Sequence, residues 1–158
     1  MKMPEGEPII TQESGEIETT STITLQLGDS VSFSKTVGES DVYLFAGITG
    51  DLSPNHVNEE AMSKTPYEKR IAHGVLSIGF ASTASTLMIE KAQATAVSAG
   101  YDRIRFINPI FIGDTITVTY TICEIDQERL RTLADIEVTK QDGTLCTVGQ
   151  HILKFLAE

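Results

Sequence analysis

The sequence predicts an α+β protein in which a curved antiparallel β-sheet wraps a long buried central helix. Three observations carry this. Residues 74–89 contain no charged side chain, so a helix there has no polar face to give to water and must be buried nearly all round. Four later segments alternate apolar and polar residues over strand-length runs broken by turn-forming Gly, Asn and Asp. The chain of 158 residues suits one domain, and at that size a bent sheet is the simplest structure that can enclose a helix.

Residues 1–18 read as an acidic N-terminal extension and 19–158 as the folded domain. The extension carries Glu5, Glu7, Glu13, Glu16 and Glu18 against Lys2 alone, and its Gly and Pro discourage regular structure. Alternation then predicts two strands, over 21–27 and 30–37, joined at the Gly28-Asp29 turn. Residues 40–48 have helical spacing, with Val42, Phe45 and Ala46 on one face. Residues 50–56 are too rich in Gly, Pro and Asn to prolong that helix, and 58–63 supply a helical turn that Pro66 ends. After the apolar helix come strands over 97–107, 116–122, 130–138 and 145–155. Gly113-Asp114 and Asp142-Gly143 mark turns between them.

Composition sets outer limits on function. Hydrophobic residues are 41% of the chain and aromatics 6%, with no Trp, so Ile, Leu, Val and Ala must build the core. The net charge of -10 argues against nucleic acid as a partner. The run at 74–89 is short for a membrane span, and no apolar leader opens the chain. Cys123 and Cys146 form no disulfide framework and read as ordinary buried thiols. These features point to a cytoplasmic protein with no membrane partner.

The chemistry concentrates in two short stretches. Asp51 and His56 stand five residues apart, with Gly50 before them and Pro54 between. A carboxylate and an imidazole on one stiff loop can share a water molecule. Ile71-Ala72-His73-Gly74 then opens the apolar helix, and a glycine there offers a free N–H to a developing oxyanion. Taken singly, Asp51 reads as a turn residue and His56 as a loop histidine. Together with Gly74 they read as a site that adds water to an activated double bond, or removes it. His73 reads as shaping the helix start, and His151 as structural.

The stretches Phe45-Ala46-Gly47-Ile48-Thr49-Gly50-Asp51, Pro54, His56 and Ile71-Ala72-His73-Gly74, with Asn108-Pro109 and Gly113-Asp114, resemble the MaoC-like dehydratases. These are the R-specific enoyl-CoA hydratases of the hot-dog fold. The resemblance runs from about Gly28 to Leu156, with departures at Ser53 and Asn55. It implies that Asp51 and His56 are the hydratase pair and that the Gly74 N–H lies in the oxyanion hole. It implies reversible hydration of a trans-2-enoyl-CoA to an (R)-3-hydroxyacyl-CoA, with coenzyme A as part of the substrate and neither metal nor other cofactor. It also suggests that Ser82 reaches Asp51. Tyr67 and Leu76 are candidates for the acyl pocket, Tyr67 also for the adenine, and Lys69 and Arg70 for the phosphates. A homodimer is expected, because a single unit would leave an apolar sheet face exposed. Other readings are a dehydratase of 3-hydroxyacyl carrier protein or of branched or dicarboxylic acyl-CoA, a thioesterase, and a non-catalytic acyl-CoA-binding protein.

Overall fold

The computed structural model describes residues 22–157. The proposed extension at 1–18 lies outside them. One five-stranded antiparallel sheet is built from β1 (Ser30–Thr36), β2 (Ala96–Phe106), β3 (Thr115–Asp126), β4 (Arg131–Lys140) and β5 (Leu145–Phe155), in the order β1-β3-β4-β5-β2. Between β1 and β2 run α1 (Glu39–Thr49), the single turns α2 (Pro54–Val57) and α3 (Glu59–Met62), and the long helix α4 (Gly74–Ala92).

Alternation became pleat where strands pair regularly. Ile116, Val118, Tyr120 and Ile122 of β3 and Ala134, Ile136 and Val138 of β4 are all buried, and face Ala81, Ala84 and Met88 of α4 in one core. At the Asp142-Gly143 turn, the Asp142 carboxylate accepts the Thr144 N–H at 2.9 Å.

Four expectations need correction. Residues 22–27 form no ladder; they are an extended arm. Ile23 and Leu25 are buried while Thr22, Thr24 and Gln26 face out, which gives strand-like alternation without strand pairing. The arm is tied instead by the Gln127 amide, which accepts the Ile23 N–H at 3.0 Å and donates to the Ile23 carbonyl at 2.9 Å. Helix α4 is not enclosed. Val75, Gly79, Ser82, Thr83 and Thr86 form an exposed stripe, because the sheet covers one side of the helix only. The outer sheet face is not apolar either. It is a ladder of hydroxyls, with Ser30–Thr121, Ser34–Thr117 and Thr36–Thr115 bonded across β1 and β3 at 3.0, 2.8 and 2.7 Å. Cys146 is buried as expected, but Cys123 is exposed, because it sits where the β3–β4 register shifts between Ile122 and Glu124.

Two further irregularities lie in β2, the edge strand beside β5. Its register shifts between Ser98 and Gly100 and again between Asp102 and Arg105, and Arg103 takes a left-handed φ of 54°. Regular alternation along the strand expected over 97–107 is thereby broken, and Phe106 is half exposed.

Candidate active site

Asp51 follows the end of α1. Gly50 closes that helix with φ of 79°, and its N–H reaches the Ala46 carbonyl at 2.8 Å. This left-handed cap, which any side chain would strain, turns the chain off the helix axis. The Ser53 N–H then holds Asp51 Oδ1 at 3.2 Å, and the Asp51 side chain keeps 51% of its surface exposed.

Pro54 starts α2, where its missing N–H goes unneeded. The turn brings His56 to a buried position, and its Nδ1 lies 2.8 Å from the Ile71 carbonyl. A carbonyl only accepts, so the proton sits on Nδ1 and Nε2 carries a lone pair. The Ile71 N–H donates back to the Asn55 carbonyl at 3.0 Å, so two reciprocal bonds clamp the His56 turn to the strand-like segment before α4. The Asn55 side-chain amide donates to His56 Nε2 at 3.3 Å.

His73 stands behind this pair. Its Nε2 donates to the Asp51 backbone carbonyl at 3.1 Å, and its ring stacks on His56 with centroids 3.7 Å apart. One titrating atom from each of Asp51, His56 and His73 lies within 4.8 Å of the others. The group is poorly shaped for a metal ion. The two imidazole planes meet at only 25°, so their in-plane lone pairs run side by side and do not converge.

Gly74 is the first residue of α4, so its N–H has no intrahelical acceptor. A Cβ at this position would stand 2.9 Å from the Phe106 ring, which is why glycine is required here. Ser77 fixes the first turn. Its hydroxyl donates to the Gly74 carbonyl at 2.7 Å and lies 3.0 Å from the Thr147 hydroxyl on β5. Gly74, His56, Asn55, Tyr67, Phe106 and Asn108 line a cavity of about 310 Å³. Asn108 is tied to the Leu145 carbonyl at 2.7 Å, and Asp114 accepts the Phe111 N–H at 2.8 Å. Asn108-Pro109 therefore lines the cavity, while Gly113-Asp114 holds the turn before β3.

The remaining candidates lie further out. Leu76 is buried in the core below the cavity. Ser82 is on the exposed stripe of α4, and no hydrogen bond among the described residues joins it to Asp51. Lys69 is exposed, with its Nζ 4.6 Å over the Phe111 ring. Arg70 is already committed. It bonds Glu59 at 2.7 Å, Glu39 at 2.6 Å and the Tyr43 hydroxyl at 2.8 Å, tying the 59–70 segment to α1. Glu59 foremost, then Glu39, raises the guanidinium further above its ordinary pKa. Reading the sequence did not single out Asn55, Phe106 or Thr147 as site residues. Phe106 and Thr147 are close to His56 and Gly74 only in space, and although Asn55 adjoins His56 no local pattern announces that its amide meets the imidazole.

An imidazole and a helix-terminal N–H on one cavity, with a turn-borne carboxylate close to the imidazole, suit acid–base chemistry beside a developing oxyanion. The chain belongs to the MaoC like domain family, whose pattern it matches over residues 13–143. It is 41% identical over 102 residues to the (R)-specific enoyl-CoA hydratase of Rhodospirillum rubrum, covering 65% of this chain and 69% of that one. It is 32% identical over 129 residues to the 3-hydroxybutyryl-CoA dehydratase of Methylorubrum extorquens, covering 82% and 75%. The structure superposes on R-hydratase PhaJ1 of Pseudomonas aeruginosa with a TM-score of 0.75 at 26% identity, over 87% of this chain and 88% of that one. The fold is the hot-dog fold, as the sequence led us to expect.

Proposed function

We propose that this protein is an R-specific enoyl-CoA hydratase, a hydro-lyase that interconverts a trans-2-enoyl-CoA and an (R)-3-hydroxyacyl-CoA. The observation that carries this is the placement of His56 and the Gly74 N–H on one cavity, with an Asp51 carboxylate oxygen within 4.8 Å of a His56 ring nitrogen, in a family whose relatives bear hydratase and dehydratase names.

The geometry supports the following chemistry. Both groups offer an acceptor to a water molecule: a carboxylate oxygen from Asp51, and the Nε2 lone pair that the Ile71 carbonyl leaves free on His56. Water held by its hydrogens turns an oxygen lone pair toward C3 of the enoyl group. As the C3–O bond forms, the C2–C3 π electrons move toward the thioester, and negative charge collects on its oxygen. The Gly74 N–H, at the positive end of α4, meets that charge. One water proton passes to Asp51 and is returned from there to C2, while His56 Nε2 holds the hydrogen that stays on the new hydroxyl. The net change is addition of H and OH, and the reverse is dehydration. An oxyanion donor of this type is worth about 3–4 kcal/mol in the transition state. The residues at the site are sufficient for these proton transfers, so the reading calls on no metal or redox cofactor.

The substrate reading is a coenzyme A thioester. Lys69 is an exposed cation beside the segment that carries Ile71, and the acidic chain disfavours an acidic carrier protein as donor. A homodimer is part of the reading. The exposed stripe of α4 and the free edge strand β2, with Val97, Phe106 and Ile107 half exposed, are supported as its seam. Cytoplasmic residence is supported by two unpaired cysteines, and among the described residues no helix is long and apolar enough to cross a membrane.

The test is the ultraviolet absorbance of crotonyl-CoA mixed with the pure protein, with Asp51→Asn alongside. Loss of the conjugated enoyl absorbance with the wild type alone supports hydration. Release of free thiol instead would assign a thioesterase.

A further inference from the structure

We propose that His73 is a positioning residue that sets both members of the hydration pair at once; the proposal deepens the hydratase reading and rests on it. Three contacts converge on one ring. Its Nε2 lies 3.1 Å from the Asp51 backbone carbonyl, its face stacks on His56 at 3.7 Å, and its other side meets the Phe45 ring at 4.8 Å. Asp51 and His56 come from different turns, and His73 is the side chain that touches both. Its own side chain is 2% exposed, so it cannot shift without moving one of its neighbours.

The protonation pattern follows from the partners. The Asp51 carbonyl requires a donor, so His73 carries its proton on Nε2. The Ile71 carbonyl requires one too, so His56 carries its proton on Nδ1. Stacked face to face, the two imidazoles hold their protons on opposite nitrogens, each anchored to a backbone carbonyl. Asp51 Oδ2 lies 3.9 Å from His73 Nε2, so the same N–H also faces the carboxylate that the reaction uses.

A purely structural role fits His73 badly. It occupies the N-cap of α4 yet makes no side-chain cap bond. Its Nδ1 is buried with no hydrogen-bond partner among the described residues. An unpaired buried nitrogen costs stability that a phenylalanine of similar shape would not lose. What the imidazole supplies in return is the N–H that holds the loop of Asp51.

His73→Phe keeps the ring and the stack and deletes that N–H. His73→Gln restores a donor near the position of Nε2. The phenylalanine variant is expected to fold and melt at or above the wild-type temperature. Its kcat on crotonyl-CoA is expected to fall about 10–100-fold with KM close to wild type, because a misplacement of around an ångström costs on that scale. The glutamine variant should recover part of the loss. A folded His73→Phe protein with wild-type kcat, or one whose loss lies wholly in KM, overturns the proposal. Long-range proton–nitrogen NMR of the imidazoles gives a readout that needs no turnover. It should place the His73 proton on Nε2 and the His56 proton on Nδ1, and the His56 ring signals should move in both variants. A His73 proton on Nδ1, or unmoved His56 signals, refutes it. If the wild type hydrates no enoyl thioester, the hydratase reading fails, and the NMR measurement still decides whether His73 orients the pair.

Discussion

Acid should destabilise this protein through one histidine before it titrates the stabilising carboxylates. His151 on β5 has no exposed surface. Its Nε2 lies 2.8 Å from the Ser98 hydroxyl, its Nδ1 3.0 Å from the Tyr120 hydroxyl, and its ring stacks on Tyr101 at 4.3 Å. No carboxylate is among these neighbours. Burial therefore pushes the imidazole down from its ordinary 6.5 to about 4. A depressed pKa on a base means that the native state resists taking up a proton. The unfolded chain binds that proton first, so stability is complete above pH 6.5 and drains away as the pH falls from 6.5 toward 4.

A shift from 6.5 to about 4 corresponds to about 3 kcal/mol over the full window, and about 2 kcal/mol is already lost between pH 7 and pH 5. Asp29, held down by Lys91, and Glu59, held down by Arg70, act lower. Their contributions are present above the ordinary carboxylate range and disappear as the pH falls below it. The assay is urea unfolding followed by circular dichroism at pH 7 and pH 5, at one protein concentration, for the wild type and His151→Gln. The variant is less stable at pH 7, because it disrupts a packed network, but it should lose little between the two pH values. If both proteins lose the same free energy from pH 7 to pH 5, His151 is not the group responsible.

Three further outcomes test the site. Asp51→Asn and His56→Gln should each reduce kcat for crotonyl-CoA hydration by about 10²–10⁴-fold while still binding the thioester, as measured by steady-state kinetics and calorimetry. Gly74→Ala should cost about 10²-fold in kcat and lower the melting temperature, because its Cβ would stand 2.9 Å from the root of the Phe106 ring, and making room for it disturbs the oxyanion donor. Asn55→Leu removes an amide that competes with water for His56 Nε2; kcat/KM should rise by up to about tenfold, and a fall would show that the amide assists catalysis.

Most of the architecture was legible because periodicity reports which faces are buried. The helix at 74–89 and the strands at 116–122, 130–138 and 145–155 stood out for that reason. The same signal misled where burial and pairing part company. Ile23 and Leu25 alternate with polar neighbours as a strand does, but the arm that carries them pairs with a glutamine side chain and not with a strand. Absence of charge along α4 was taken as burial, whereas its stripe at Val75, Gly79 and Ser82 is small, neutral and exposed. Asp51, His56 and Gly74 could be nominated from spacing because a tight turn and a helix start are local events. The ion pairs of Arg70 are not legible in the sequence, because its partners, Glu39 and Glu59, lie 31 and 11 residues away and nothing in the chain announces that the three converge.

The three histidines show why residue type alone could not assign roles. His151 has a hydroxyl at each nitrogen, so its imidazole has no hydrogen-bonding capacity left for a substrate and serves the core. His56 spends one nitrogen on the Ile71 carbonyl and presents the other at the cavity wall. His73 spends one nitrogen on the Asp51 carbonyl and has the other sealed from solvent, so it can orient but cannot touch a substrate. A backbone carbonyl on one nitrogen fixes a tautomer, and the surroundings of the second nitrogen then decide between structure, positioning and chemistry. On that rule His56 is the imidazole proposed for the chemistry, because it is the one that lines the cavity.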